Sequence, residues 1–334
     1  MERAGAICRR SALSALGASL LTPAGQARAA TAVSVAATDL RARTVSEFDL
    51  ASAQGRPYRI LVSTPDGPPP TGGLPVIYVL DGHGWFGAAV EIARMREHSK
   101  LDAPLIVGVG YPSGRFFDPA RSFDFTPPGA TDDRFDPAST GGADQFLAFL
   151  TGALKPKIAA DHAVDPARQA LFGHSLGGLF ALYALFHAPR GFDTFIAASP
   201  SVGFGGQVIL REAAAFRPPP VPPPNLLVTM GGLEVGTPAD LAADYRRWYE
   251  AHPEARGGQS VDDIIAQTFS AADAAFDRIG AAREMTEQLA RAGVRAVWAE
   301  FDGEEHTAAG ISALNRGVPF ALRPGPGRSA VGRS

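Results

Sequence analysis

The 334-residue chain contains a single cysteine, Cys8. Everything beyond the first residues is therefore without any means of forming an internal disulfide. Cys8 also precedes the first apolar run, which places it badly for a lipoprotein anchor. A basic excess is missing too: 31 Lys and Arg stand against 34 Asp and Glu, a formal net charge of −3. Such a balance gives no support to nucleic-acid binding through phosphate neutralisation. Past the start of the chain no run is apolar for long enough to cross a membrane. Metal-ligand spacings are absent, because Glu304-Glu305-His306 has no second ligand nearby. No phosphate loop, dinucleotide fingerprint or internal repeat is present. These absences point to chemistry without a cofactor, on a small molecule, with no stable membrane anchor.

What is present begins with a leader. Arg3, Arg9 and Arg10 give a positive start, Ser11 to Leu21 is moderately apolar, and Ala27-Arg28-Ala29 is an A-x-A cleavage site. Residues 1–29 read as a signal peptide, and Arg9-Arg10 suggests the twin-arginine route to a periplasmic or secreted location. Removing them takes away four arginines and one glutamate, so the remainder is net −6. Residues 30–322 then form one domain and 323–334 a tail.

The centre of that domain is Gly173-His174-Ser175-Leu176-Gly177, a G-x-S-x-G nucleophile elbow. A strand that turns straight into a helix leaves the apex serine in a sparsely allowed backbone region. The residues two before and two after the serine crowd each other, which glycine at both positions permits. The flanks agree with that reading. Arg168–Phe172 is a short buried strand, and Leu176–His187 is apolar on nearly every face before it stops at Ala188-Pro189.

Further strands are expected at 44–50 and 58–63, as an antiparallel edge hairpin, and at 75–80, 104–111, 193–198, 225–230 and 294–301. Helices are expected at 85–97, 143–160, 272–292 and 307–322, with 231–270 polar, helix-prone and able to cap a site. Strands alternating with helices predict an α/β fold, a mostly parallel sheet with helices on both faces. Ligands bind outside the carboxyl ends of such strands.

A serine needs a base, and the α/β-hydrolase order along the chain is serine, acid, histidine. Of seven histidines only His252 and His306 follow the acid region, and His252 lies among charges on a solvated face. His306 follows the last strand, where the base belongs. His174 neighbours the serine with its side chain expected to point away. The acid is expected after the strand ending at Met230, where Gly231 and Gly232 allow a sharp turn. Glu234 sits there, with Asp240 and Asp244 as rivals further on. Oxyanion donors are expected at the Leu176 N–H and at Gly82 or His83. Arg121 and Asp124 read as an ion pair that pins the long irregular stretch before Gly142.

Taken together, Phe172–Leu182, Ala198-Ser199-Pro200-Ser201, Tyr78-Val79-Leu80-Asp81-Gly82, Arg121–Pro127 and Gly303-Glu304-Glu305-His306 resemble the esterase D and enterochelin-esterase-like branch of α/β hydrolases. The resemblance covers roughly residues 44 to 322. It implies a cofactor-free serine esterase, with Ser175, His306 and Glu234 in the catalytic roles and siderophore lactones among the substrates of the branch. Val202-Gly203-Phe204-Gly205 departs from the aromatic residues that many relatives carry after Ser-Pro-Ser. Acyl transfer on the same three residues, and a non-catalytic siderophore- or glycan-binding protein, are the competing readings.

The leader yields a direct test. Replacing Arg9 and Arg10 together with lysine is expected to block export by the twin-arginine route. Undiminished export, read by cell fractionation, assigns the leader to the general secretory route instead.

Overall fold

The computed structural model describes residues 44–219, 222–235, 238–256, 259–268 and 276–323. The leader and the tail after Arg323 lie outside them. All the described residues belong to one compact unit, Ala42–Ser334.

The order of elements is β1 (Thr44–Ala51), β2 (Pro57–Thr64), β3 (Leu74–Leu80), α1 (Gly82–His98), β4 (Leu105–Gly110), α2 (Arg121–Phe125), α3 (Ala143–Phe149), α4 (Lys155–Asp161), β5 (Val164–His174), α5 (Leu176–His187), β6 (Thr194–Ala198), α6 (Phe204–Ala215), β7 (Asn225–Gly231), α7 (Pro238–Ala251), α8 (Val261–Thr268), α9 (Arg278–Arg291), β8 (Arg295–Phe301) and α10 (His306–Ala321). The eight strands form one sheet in the order β1-β2-β4-β3-β5-β6-β7-β8. β2 runs antiparallel to both β1 and β4, and the remaining pairs are parallel. This is the α/β-hydrolase arrangement.

β3 is buried at every residue because helices cover both faces. Its side chains alternate between two cores, as strand geometry requires. Tyr78 and Leu80 join the larger core with Phe146, Phe180 and Phe195, whereas Ile77 and Val79 join the smaller one with Trp85, Phe86, Leu314 and Val318. α1 and α10 thus cover one face, and α3 to α6 with α9 cover the other.

Two expected elements need correction. The helix over 143–160 is interrupted, because Leu150–Leu154 widens into a π-helical turn between α3 and α4. Pro156 opens α4 and has no N–H to donate back into the preceding turn, which is what loosens the ladder there. The segment after Ser201, to which the sequence assigns no element, contains α6. It starts with three left-handed residues in succession, Gly205, Gly206 and Gln207, at φ 58°, 61° and 66°. The expected helix over 272–292 is seen from Arg278; residues 271–275 lie outside the described residues.

The Arg121–Asp124 pair does not form. Asp124 is buried, accepts a hydrogen bond from the Tyr111 hydroxyl at 2.8 Å and pairs with Arg56 at 3.2 Å. Arg121 turns instead to Asp81, the residue after β3. Nε and Nη2 donate to its two carboxylate oxygens at 2.7 and 2.8 Å, and Nη2 also reaches the carbonyl of His174 at 3.4 Å. Asp81 is fully buried and in the left-handed region at φ 50°. The guanidinium lies between the rings of Phe117 and Phe125, 5.1 and 5.2 Å from their centroids. Geometry of this quality, with two parallel charge-assisted bonds, is what allows an ion pair to survive burial.

Arg121→Met leaves the Asp81 carboxylate buried and unpaired. It is expected to lower stability by about 3–5 kcal/mol, measured by urea unfolding. The double change Asp81→Asn with Arg121→Met is expected to cost less than Arg121→Met alone.

Candidate active site

β5 ends buried from Gln169 to His174 and delivers Ser175 at the carboxyl edge of the sheet. The serine is held at φ 59°, ψ −118°. A Cβ on Gly173 would fall 2.0 Å from the carbonyl oxygen of Gly177, so the turn closes only because position 173 has no side chain. The Ser175 N–H donates to the Ala198 carbonyl at 3.0 Å, and the Ser201 N–H donates to the Ser175 carbonyl at 3.1 Å. The Ser175 hydroxyl lies 3.5 Å from that of Ser201. Leu176 opens α5, and the first amides of a helix lack intrahelical acceptors. On the neighbouring strand Val79 pairs with Phe172, and Gly82 opens α1 just past the end of that strand.

His306 and Glu234 come from the next loops along the same edge. Glu234 lies in the single turn of 3₁₀ helix after β7, and His306 is the first residue of α10. Nδ1 of His306 is 2.6 Å from one Glu234 oxygen. The other oxygen accepts from the Ser199 hydroxyl and from the Gly231 N–H, each at 2.6 Å. Burial pushes the Glu234 carboxyl up, but the bonds from His306, Ser199 and Gly231 outweigh it and hold the group below its ordinary value. An ionised carboxylate only accepts, so Nδ1 carries the proton and Nε2 is the basic nitrogen. Neither Gly231 nor Gly232 adopts a positive φ. Glycine at 231 instead lets two loops meet, since a Cβ there would sit 2.4 Å from the Glu304 carbonyl oxygen. Asp240 lies on α7, and its side chain is outside the described residues.

Ser175, Ser201, Glu234 and His306 share one cavity of about 250 Å³, with Arg134, Tyr245 and Arg278 also on its walls. Arg134 is held by Asp132 through two bonds of 2.7 Å, and Asp132 also accepts from the Gly205 N–H at 3.3 Å. The left-handed start of α6 is thereby tied to the loop that carries Arg134. His252 is elsewhere, its Nδ1 on the Trp248 carbonyl and its ring stacked on Trp248.

Sequence reasoning missed three of these residues. Ser199 and Ser201 lie in a short motif that does not reveal which hydroxyl faces which partner. His174 does point away from the serine hydroxyl, but into the support of His306. Its Nε2–H donates to the His306 carbonyl at 2.8 Å, and the two rings are 4.6 Å apart. A carbonyl only accepts, which fixes this tautomer. Burial in apolar surroundings, reinforced by the neighbouring His306, pushes the His174 imidazole down to about 3.

That depression has a sign. An unfolded imidazole takes up its proton near pH 6.5, the buried one only near pH 3, so unfolding binds a proton throughout that window. Stability is expected to fall as pH drops below 6.5, with a His174 share of up to about 1.4 kcal/mol per pH unit. His174→Gln, which can still donate to the His306 carbonyl, is expected to flatten the slope in urea unfolding between pH 4 and 6.5.

The comparisons with known proteins agree with this architecture. A family model described as "Putative esterase" matches residues 51–321. The ferri-bacillibactin esterase BesA of Bacillus subtilis is 34% identical over 287 residues, 81% of this chain and 86% of that protein. The siderophore triacetylfusarinine C esterase of Aspergillus fumigatus is 35% identical over 295 residues, 84% of this chain and 94% of that protein. Among solved structures, the siderophore hydrolase EstA of Aspergillus nidulans superposes with a TM-score of 0.67 at 29% identity, covering 84% of this chain and 94% of that one. The chain therefore belongs to the esterase family, in its enterochelin-esterase-like branch, and is a carboxylic-ester hydrolase.

Proposed function

We propose that the protein hydrolyses siderophore esters through Ser175, His306 and Glu234. The observation that carries the reading is the Glu234–His306 hydrogen bond in the same cavity as a serine held at a strained elbow. Ser175 Oγ attacks the ester carbonyl while His306 Nε2 takes its proton. The N–H groups of Leu176 and Gly82 hold the developing oxyanion. The imidazolium then protonates the departing alkoxide, and water repeats the sequence on the acyl-enzyme. Glu234 keeps Nδ1 protonated and balances the imidazolium charge. The serine hydroxyl is 3.5 Å from that of Ser201, and attack requires rotation about Cα–Cβ to bring it to His306.

The substrate class is supported by relatives named for siderophore esterase activity from both bacteria and fungi. Arg278 on the cavity wall offers a guanidinium to the anionic groups of an iron-binding substrate, iron being cargo rather than cofactor. Export by the 1–29 leader is part of the same proposal, resting on its charged start, short apolar run and Ala27-Arg28-Ala29 site.

A fluorophosphonate is expected to modify Ser175 and no other residue, read by mass spectrometry of the labelled protein. Glu234→Gln is expected to lose up to about four orders of magnitude in turnover, against near-normal turnover for Asp240→Asn. The reverse ranking of the two variants would transfer the acid role to Asp240. A panel of nitrophenyl esters and siderophore lactones separates a general esterase from a siderophore-directed one.

A further inference from the structure

The opposite end of the sheet, where β5 to β8 begin, carries a second cleft of about 340 Å³. Arg168 at its edge is seven residues back along β5 from Ser175, roughly 20 Å away in an extended strand. Four arginines line the cleft: Arg168, Arg190 in the turn before β6, Arg295 at the start of β8, and Arg323 just past α10. Asp193 is the single carboxylate among its lining residues, and one of its oxygens accepts from the Thr194 hydroxyl at 2.8 Å.

The guanidinium groups are not used up by the fold. Arg168 is engaged, with Nε donating to Asp165 at 2.7 Å. Arg295 donates one bond, from Nη2 to the Pro223 carbonyl at 3.2 Å, while its buried Nε has no acceptor. Among the described residues the side chains of Arg190 and Arg323 have no hydrogen-bond or ion-pair partner. The facing wall is Pro222-Pro223-Pro224, which has no N–H groups and little freedom to move. The charged donors of the cleft are therefore all arginines. Converging like charges and a buried N–H without an acceptor are both unfavourable in an empty site, and both are relieved by one ligand chemistry. Planar forks of N–H donors match oxygens spread over a phosphate or carboxylate group.

We propose that this cleft binds a small multivalent oxyanion of the phosphate or polycarboxylate class, at a site separate from the esterase centre. Arg168 is balanced by Asp165, and Arg190, Arg295 and Arg323 still outnumber the Asp193 carboxylate, which favours a ligand of charge −2 over a monoanion. The occupant joins the amino ends of β5, β6 and β8 to the chain after α10, so its binding stabilises the folded protein.

The test uses the full chain and inorganic pyrophosphate. Titration calorimetry is expected to give a saturable isotherm, and thermal unfolding a rise in Tm beyond that produced by sodium chloride at equal ionic strength. Arg190→Gln with Arg295→Gln is expected to weaken the affinity at least tenfold and leave turnover of a nitrophenyl ester unchanged. Should that pair of changes impair folding, the exposed single change Arg323→Gln is expected to weaken binding several-fold. Equal Tm shifts with chloride, undiminished affinity in the variants, or pyrophosphate competing with the ester at the same concentration that it binds would each overturn the proposal.

Discussion

The backbone at Ser175 sets the terms for the rest of the molecule. A non-glycine residue at φ 59°, ψ −118° is costly and persists only where the surroundings over-determine it. Here they do so from three sides. Gly173 closes the turn from within, Ala198 and Ser201 hold the serine backbone from β6 and the turn after it, and Arg121 reaches the carbonyl of the preceding His174. Because Arg121 is also locked to Asp81, the turn after β3 and the turn after β5 are fixed to each other. The turns after β3 and β5 thus share a single buried ion pair.

The second arm of the site is built by a different device. Glu234 and His306 lie on loops from adjacent strands, β7 and β8, so a short hydrogen bond between them needs only that those loops approach. Gly231 permits the approach, Ser199 and the Gly231 amide aim the carboxylate, and His174 holds the histidine backbone from below. His174 thus links the arms, since it is one residue from Ser175 and its imidazole supports His306. A neutral, buried ring suits that task, because a charged one would compete for Glu234.

Much of this was legible in the sequence for physical reasons. Continuous apolar runs such as Leu74–Leu80 read as central strands, and of the two elbow glycines Gly173 alone is sterically required, since a Cβ at 177 would meet nothing nearer than 3.5 Å. Chain order placed His306 and Glu234 on neighbouring loops because parallel strands bring successive turns to one edge. Partner choice was not legible. Arg121 has a carboxylate three residues away at Asp124, yet pairs with Asp81 forty positions back, where burial and the bidentate geometry decide. The direction of the His174 ring and the left-handed start of α6 were equally hidden. Both follow from contacts across the fold rather than from local preference, and Gly205-Gly206 reads as loop in any sequence.

The first hairpin bears on how this protein keeps to itself. β1 is an outer strand of the sheet, and most of its residues are exposed. On it Asp49 stands opposite Arg59 of β2 and bonds to it at 2.5 Å, with Glu47 3.2 Å from the same guanidinium. A strand from another molecule that docked along this edge would have to crowd a fixed cluster of charges. The outer edge at β1 is therefore also a guard against strand-by-strand aggregation, placed at the end of the sheet order farthest from the loops that carry Glu234 and His306.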